Sequence, residues 1–150
     1  MRRLLLWLFA FLLPTGATAQ TVEERFAAAQ SLFDKLIYLE QRFDKELQYL
    51  YADEARIIII EVRGDNRFKT EMTGADLKVF IDSYLPNAAA VGEWYLYSNT
   101  SITPEGERMR ILSSRTSQKT GDVFPYQILV GPGPGGQYLI YEEQSIVAPK

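Results

Sequence analysis

The chain has 150 residues, nineteen acidic against sixteen basic, and contains neither cysteine nor histidine. That composition excludes a disulfide framework, a thiolate or imidazole metal centre and any mechanism that needs a histidine base, and no cofactor or metal is expected. No cluster of Lys or Arg occurs beyond the N-terminus, which argues against nucleic acid or an anionic membrane surface as a partner.

Arg2 and Arg3 precede ten consecutive apolar residues, Leu4 through Leu13. Pro14-Thr15-Gly16 breaks the run, and Ala17-Thr18-Ala19 fits the small-x-small pattern of a cleavage site. A run this short falls well below the roughly 20 apolar residues that cross a bilayer. Residues 1–19 are therefore predicted to be a signal peptide cut between Ala19 and Gln20. One domain over residues 20–150 would follow, periplasmic or secreted, with no stable membrane insertion. Fourteen basic and nineteen acidic residues would remain, a net charge of −5, and the size suits a single core.

Residues 21–50 read as helix, because Ala29, Leu32, Leu36, Leu39, Phe43, Leu47 and Leu50 recur at three- and four-residue steps. Thr21 with Glu24 forms a capping-box signal at its start. The stretch is long for a globular helix, so a kink near Asp34 or Tyr38 is expected. Residues 56–62, Arg-Ile-Ile-Ile-Ile-Glu-Val, read as a strand covered on both faces along at least part of its length. Gly64-Asp65-Asn66 turns the chain. Thr73 and Asp76 then cap a second helix, with Leu77, Phe80, Ile81 and Tyr84 on one side and Pro86 at its end. A four-strand meander is predicted next, over residues 93–101, 107–117, 123–130 and 137–147, with turns at Pro104-Glu105-Gly106 and Lys119-Thr120-Gly121-Asp122 and a flexible loop over residues 131–136.

This order of elements, with Leu50-Tyr51-Ala52-Asp53-Glu54-Ala55-Arg56-Ile57 and Thr73-Gly74-Ala75-Asp76-Leu77, resembles the nuclear-transport-factor-2-like family. The resemblance implies an α+β fold in which a long N-terminal helix and a second helix pack on a curved, mostly antiparallel sheet, forming a cone with an apolar pocket. It also implies a homodimer paired through the outer sheet face. Family members include isomerases, dehydratases and cyclases as well as proteins that only bind or scaffold, so fold alone does not assign chemistry. The Tyr51-Ala52-Asp53-Glu54 stretch has a structural reading as helix packing followed by a polar turn.

Enzymes of this fold commonly use an Asp–His pair, which this chain lacks, or a carboxylate with a Tyr donor. Tyr38, Tyr95 or Tyr97 with Glu142 or Glu143 offers parts for the second. Gly131-Pro132-Gly133-Pro134-Gly135-Gly136 matches G-x-G-x-x-G in spacing only, since two prolines lack the N–H that holds a pyrophosphate and no helix is predicted after it. Asn99-Thr100-Ser101 is a glycosylation sequon that a bacterial export route would leave unused. Arg108 and Arg110 share a strand face and read as solvated or ion-paired. The expectation is non-catalytic binding of a small hydrophobic ligand, or scaffolding, with a pocket lined by Phe33, Ile37, Trp94, Met109 and Tyr126. The alternatives are an acid–base enzyme and a membrane-anchored accessory domain of an envelope assembly. A buried carboxylate bonded to a Tyr hydroxyl would favour the enzyme; a dry, filled cone would exclude it.

Overall fold

A computed structural model describes residues 19–147 of the chain. The predicted leader, apart from Ala19, lies outside the described residues. Helix α1 spans Val22–Gln41 and starts on the expected capping box: Thr21 and Glu24 each accept from the other's backbone N–H. Its buried face is Ala29, Leu32, Phe33, Leu36 and Leu39, the three- and four-residue spacing of one helical stripe.

The break falls at residues 42–44, beyond both positions expected from the sequence. Phe43 adopts φ 53°, a left-handed conformation that ends helices. The Phe43 and Asp44 N–H groups then close back on the Glu40 and Leu39 carbonyls at 3.1 and 3.0 Å. Asp44 caps a 3-10 turn, Lys45–Leu50, by accepting from the Glu46 N–H.

Strand β1, Tyr51–Arg63, includes Asp53 and Glu54, which lie on an irregular stretch of strand rather than in a turn. Of its isoleucines only Ile57 is fully buried, and Ile58, Ile59 and Ile60 are half-buried. The expectation of cover on both faces fails because both helices join a core formed by one face of the sheet. Strand β2, Asn66–Thr73, pairs antiparallel with β1 and was not expected from the sequence. It is an edge strand whose Arg, Lys and Glu side chains leave little apolar signal.

Helix α2, Gly74–Val91, begins on the Thr73–Asp76 capping box. It does not end at Pro86, which lies exposed within it. Pro86 has no N–H to offer the preceding turn, and beside that gap the Asn87 side chain bonds the Ser83 carbonyl at 2.9 Å. The helix stops at Gly92, whose φ of 65° lets the Glu93 N–H reach the Ala88 carbonyl.

Strands β3 (Tyr95–Glu105), β4 (Arg108–Ser117), β5 (Val123–Pro132) and β6 (Tyr138–Val147) follow as the expected meander. The residues between β5 and β6 form no open loop. A 3-10 turn at Pro134–Gly136 is held by Gly133 N–H to Gln137 O, and a Cβ on Gly133 would meet Leu139 at 2.5 Å. All six strands form one sheet in the order β2-β1-β6-β5-β4-β3, antiparallel except where β1 runs parallel to β6. Register shifts in the β1–β6, β3–β4 and β5–β6 pairs mark the irregularities that bend strands. The α+β architecture, two helices on a mixed and mostly antiparallel sheet, is as expected.

Candidate functional site

The two helices do not fill the sheet's inner face. A cavity of about 680 Å³ remains between α2, the end of α1 with the following turn, and strands β1, β3, β4 and β6. Its apolar walls come from Leu47, Ile57, Ile59, Leu77, Ile81 and Leu85. These residues sit there by period: β1 sends alternate residues inward, and α2 presents every third or fourth.

Part of the cavity lining is polar. Strand β4 buries Met109, Ile111, Ser113, Arg115 and Ser117 in strict alternation, which carries a guanidinium into the core side of the sheet. Arg115 is 6% exposed. Its Nη2 donates to Glu40 Oε1 at 3.0 Å, and its guanidinium stacks 3.6 Å over the Tyr95 ring. Glu40, one helical turn beyond Leu36 on α1, also accepts from the Tyr97 hydroxyl at 2.6 Å. Across the cavity the Tyr51 hydroxyl donates to Glu143 on β6, and Tyr95 donates to Glu93 Oε1 at 2.7 Å. Edge-on ring contacts link Phe33 to Tyr97 and Tyr97 to Tyr126, with centroids 5.4 and 5.2 Å apart.

Burial sets the ionisation of this cluster. It raises the Glu143 carboxyl above the ordinary Glu value, against the pull of the Tyr51 hydrogen bond and the Arg115 charge. Burial also lifts Tyr51, Tyr97 and Tyr126 well above the usual phenol range and pushes Tyr84 up to about 12. These hydroxyls remain protonated donors at neutral pH. Burial opposes the Arg115 charge, but its surroundings, with the paired Glu40 carboxylate among them, outweigh that and raise its pKa. The arrangement holds a buried carboxyl of raised pKa next to neutral hydroxyl donors and one buried cation.

The five residues predicted to line the pocket stand elsewhere. Phe33, Met109 and Tyr126 are buried in the core cluster, Ile37 packs against it, and Trp94 is half-buried just before β3. None is among the cavity's lining residues. Among the proposed acid–base parts, Tyr95 and Glu143 line the cavity and Tyr97 joins them through Glu40. Tyr38 is 55% exposed under Arg42, and Glu142 meets Arg110 instead, at 2.9 Å. Arg110 also pairs with Glu105, in keeping with its ion-paired reading, while Arg108 stacks 3.7 Å over Tyr141. Sequence reasoning missed Glu40, Glu93 and Arg115 and gave Tyr51 only a packing role. The available signal was polarity out of place: Glu40 on the apolar stripe of α1, and Arg115 at an inward step of β4.

No family model and no curated protein matches this sequence. Solved structures do. A nuclear-transport-factor-2-like protein from Streptomyces avermitilis, which carries the provisional name of a dehydratase, superposes with a TM-score of 0.61 at 12% identity, over 87% of this chain and 100% of that one. A cystatin-like protein of unknown function from Nostoc punctiforme gives 0.59 at 14% identity, over 87% and 95%. A nuclear-transport-factor-2-like protein with a cystatin-like fold from Novosphingobium aromaticivorans gives 0.57 at 16% identity, over 83% and 82%. The chain has the nuclear-transport-factor-2-like fold. In it the Leu50–Ile57 and Thr73–Leu77 stretches that carry the sequence resemblance meet. Gly74 at the start of α2 lies so close to β1 that a Cβ there would come within 1.8 Å of the Ala52 carbonyl oxygen. In this fold both stretches thus fix where α2 sits, and with it one wall of the cavity.

Proposed function

We propose that the protein is an exported small-molecule binding domain that takes a largely apolar ligand into the cone. The observation that supports this most directly is the cavity itself: about 680 Å³ is within the ~300–1,000 Å³ of ordinary ligand pockets. Its aliphatic and aromatic walls, interrupted by a few polar groups, have the usual composition of such sites. The predicted leader over residues 1–19 supports a place outside the cytoplasm. Thermal melting with a panel of aromatic and alicyclic compounds tests the reading. Ile59→Trp, which would fill the cavity from β1, should abolish any shift seen with the parent protein. A panel that leaves the parent unmoved would count against the pocket.

A second reading is favoured by one specific observation. Glu143 is a carboxyl of raised pKa bonded to a Tyr hydroxyl inside the pocket, an arrangement suited to general acid–base catalysis. Base-promoted ring opening of 5-nitrobenzisoxazole is a substrate-independent probe. A rate above background that Glu143→Gln removes would support catalysis; equal rates in both proteins would leave binding alone.

A further inference from the structure

Removal of the predicted leader would make Gln20 the first residue of the exported protein, and a terminal glutamine can close a lactam ring between its side-chain amide and its own α-amine. Gln20 is exposed, and it is held on two sides. On its backbone side the Thr21 N–H donates to Glu24 Oε2 at 2.8 Å, as part of the capping box that starts α1. One turn on, Arg25 Nη1 donates to the Gly106 carbonyl at 2.7 Å and ties this end of α1 to the turn between β3 and β4. On its side-chain side the Tyr138 hydroxyl, at the start of β6, donates to Gln20 Oε1 at 3.0 Å.

That last contact falls on the atom where charge would develop. When an amine attacks an amide carbon the carbonyl oxygen takes up negative charge, and a donor already aimed at it lowers the barrier. Burial raises the pKa of Tyr138, against the pull of the Arg25 charge, so its hydroxyl keeps its proton at neutral pH. An α-amine titrates at about 7.7–8.0, so an appreciable share of it is neutral and nucleophilic under the same conditions. The product also fits its surroundings. Oε1 stays as the lactam carbonyl for Tyr138, and Thr21 keeps the N–H that it gives Glu24. Only the terminal positive charge is lost.

We propose that Gln20, freed as the first residue, closes on its own side chain to a pyroglutamyl terminus, with the Tyr138 hydroxyl stabilising the oxygen of the amide under attack. This rests on the reading of residues 1–19 as a cleaved leader. In the step the amine nitrogen bonds to Cδ and the Cδ–Nε2 bond breaks. Nε2 leaves as ammonia, carrying one proton from the amine, and no oxidant or co-reactant is consumed.

Cutting the purified full-length precursor with a leader peptidase starts the reaction, and intact-mass spectrometry follows it. The cut should give residues 20–150, which should then lose the mass of one ammonia. Tyr138→Phe should slow that loss about threefold, the size of one modest neutral hydrogen bond. The parent moved into denaturing urea after the cut gives up the same contact without a substitution and should slow alike. A product that keeps its ammonia for days overturns this inference and leaves the leader standing. So does loss that is no slower in Tyr138→Phe or in urea. A cut elsewhere, or none, overturns the leader reading and this inference with it.

Discussion

Glu143 has opposing contacts that make its ionisation informative. Burial raises its carboxyl above the ordinary value of 4.5, while Tyr51 and Arg115 favour the charged form. Because the folded pKa lies above the unfolded one, the native state holds this proton longer. Stability from this group is therefore present below about the ordinary value and is lost as pH rises through the folded value. Glu143→Gln keeps the shape and removes the titration. Its stability relative to the parent, measured by urea unfolding across pH 4 to 8, should rise with pH; a difference that stays flat would remove Glu143 as a buried titrating group. Gly74 is constrained by space instead. Gly74→Ala would press a methyl onto the Ala52 carbonyl and should cost about 1–3 kcal/mol in urea unfolding, as overpacked sites do. A neutral result would mean that α2 is free to slide on β1.

At the scale of elements, α2 continues through a residue that normally stops a helix. Leu85 and Ala88 on either side of Pro86 are buried and line the cavity, while Pro86 faces solvent. A proline in the interior loses a backbone bond and crowds the preceding turn, so Pro86→Ala should stabilise the protein by about 1–3 kcal/mol in urea. Destabilisation would mean that the proline shapes the fit of α2 against the sheet. The first helix shows a related limit of local reading. Leu47 and Leu50 continue the apolar spacing of α1, so periodicity alone joins the two segments. The break is set by Phe43 accepting a left-handed backbone and by Asp44 capping the next turn, and an Asp three residues before a leucine was the only sequence hint. Strand β2 escaped notice because an exposed edge needs no apolar face.

At the scale of the molecule, the helices cover one side of the sheet and leave the other to side chains. Arg56, Ile58, Arg110, Leu112, Gln127 and Glu142 line a shallow groove there, with Leu112 45% exposed. The homodimer predicted through this face remains a proposal, and sedimentation velocity addresses it. If the face pairs, the parent should sediment as a dimer and Leu112→Lys as a monomer. A monomeric parent at micromolar concentration would remove the dimer.

Read alone, the sequence determined the capping boxes of both helices, the four-strand meander and the α+β class, since these depend on neighbours a few residues away in the chain. It also named Glu143, Tyr95 and Tyr97 as chemical parts without joining them. Only the tertiary structure assembled the site, because its partners are distant in the chain: Tyr51 reaches Glu143 across 92 residues and Arg115 reaches Glu40 across 75. Large apolar residues such as Phe33 and Met109 went to the core, where close packing is most favourable.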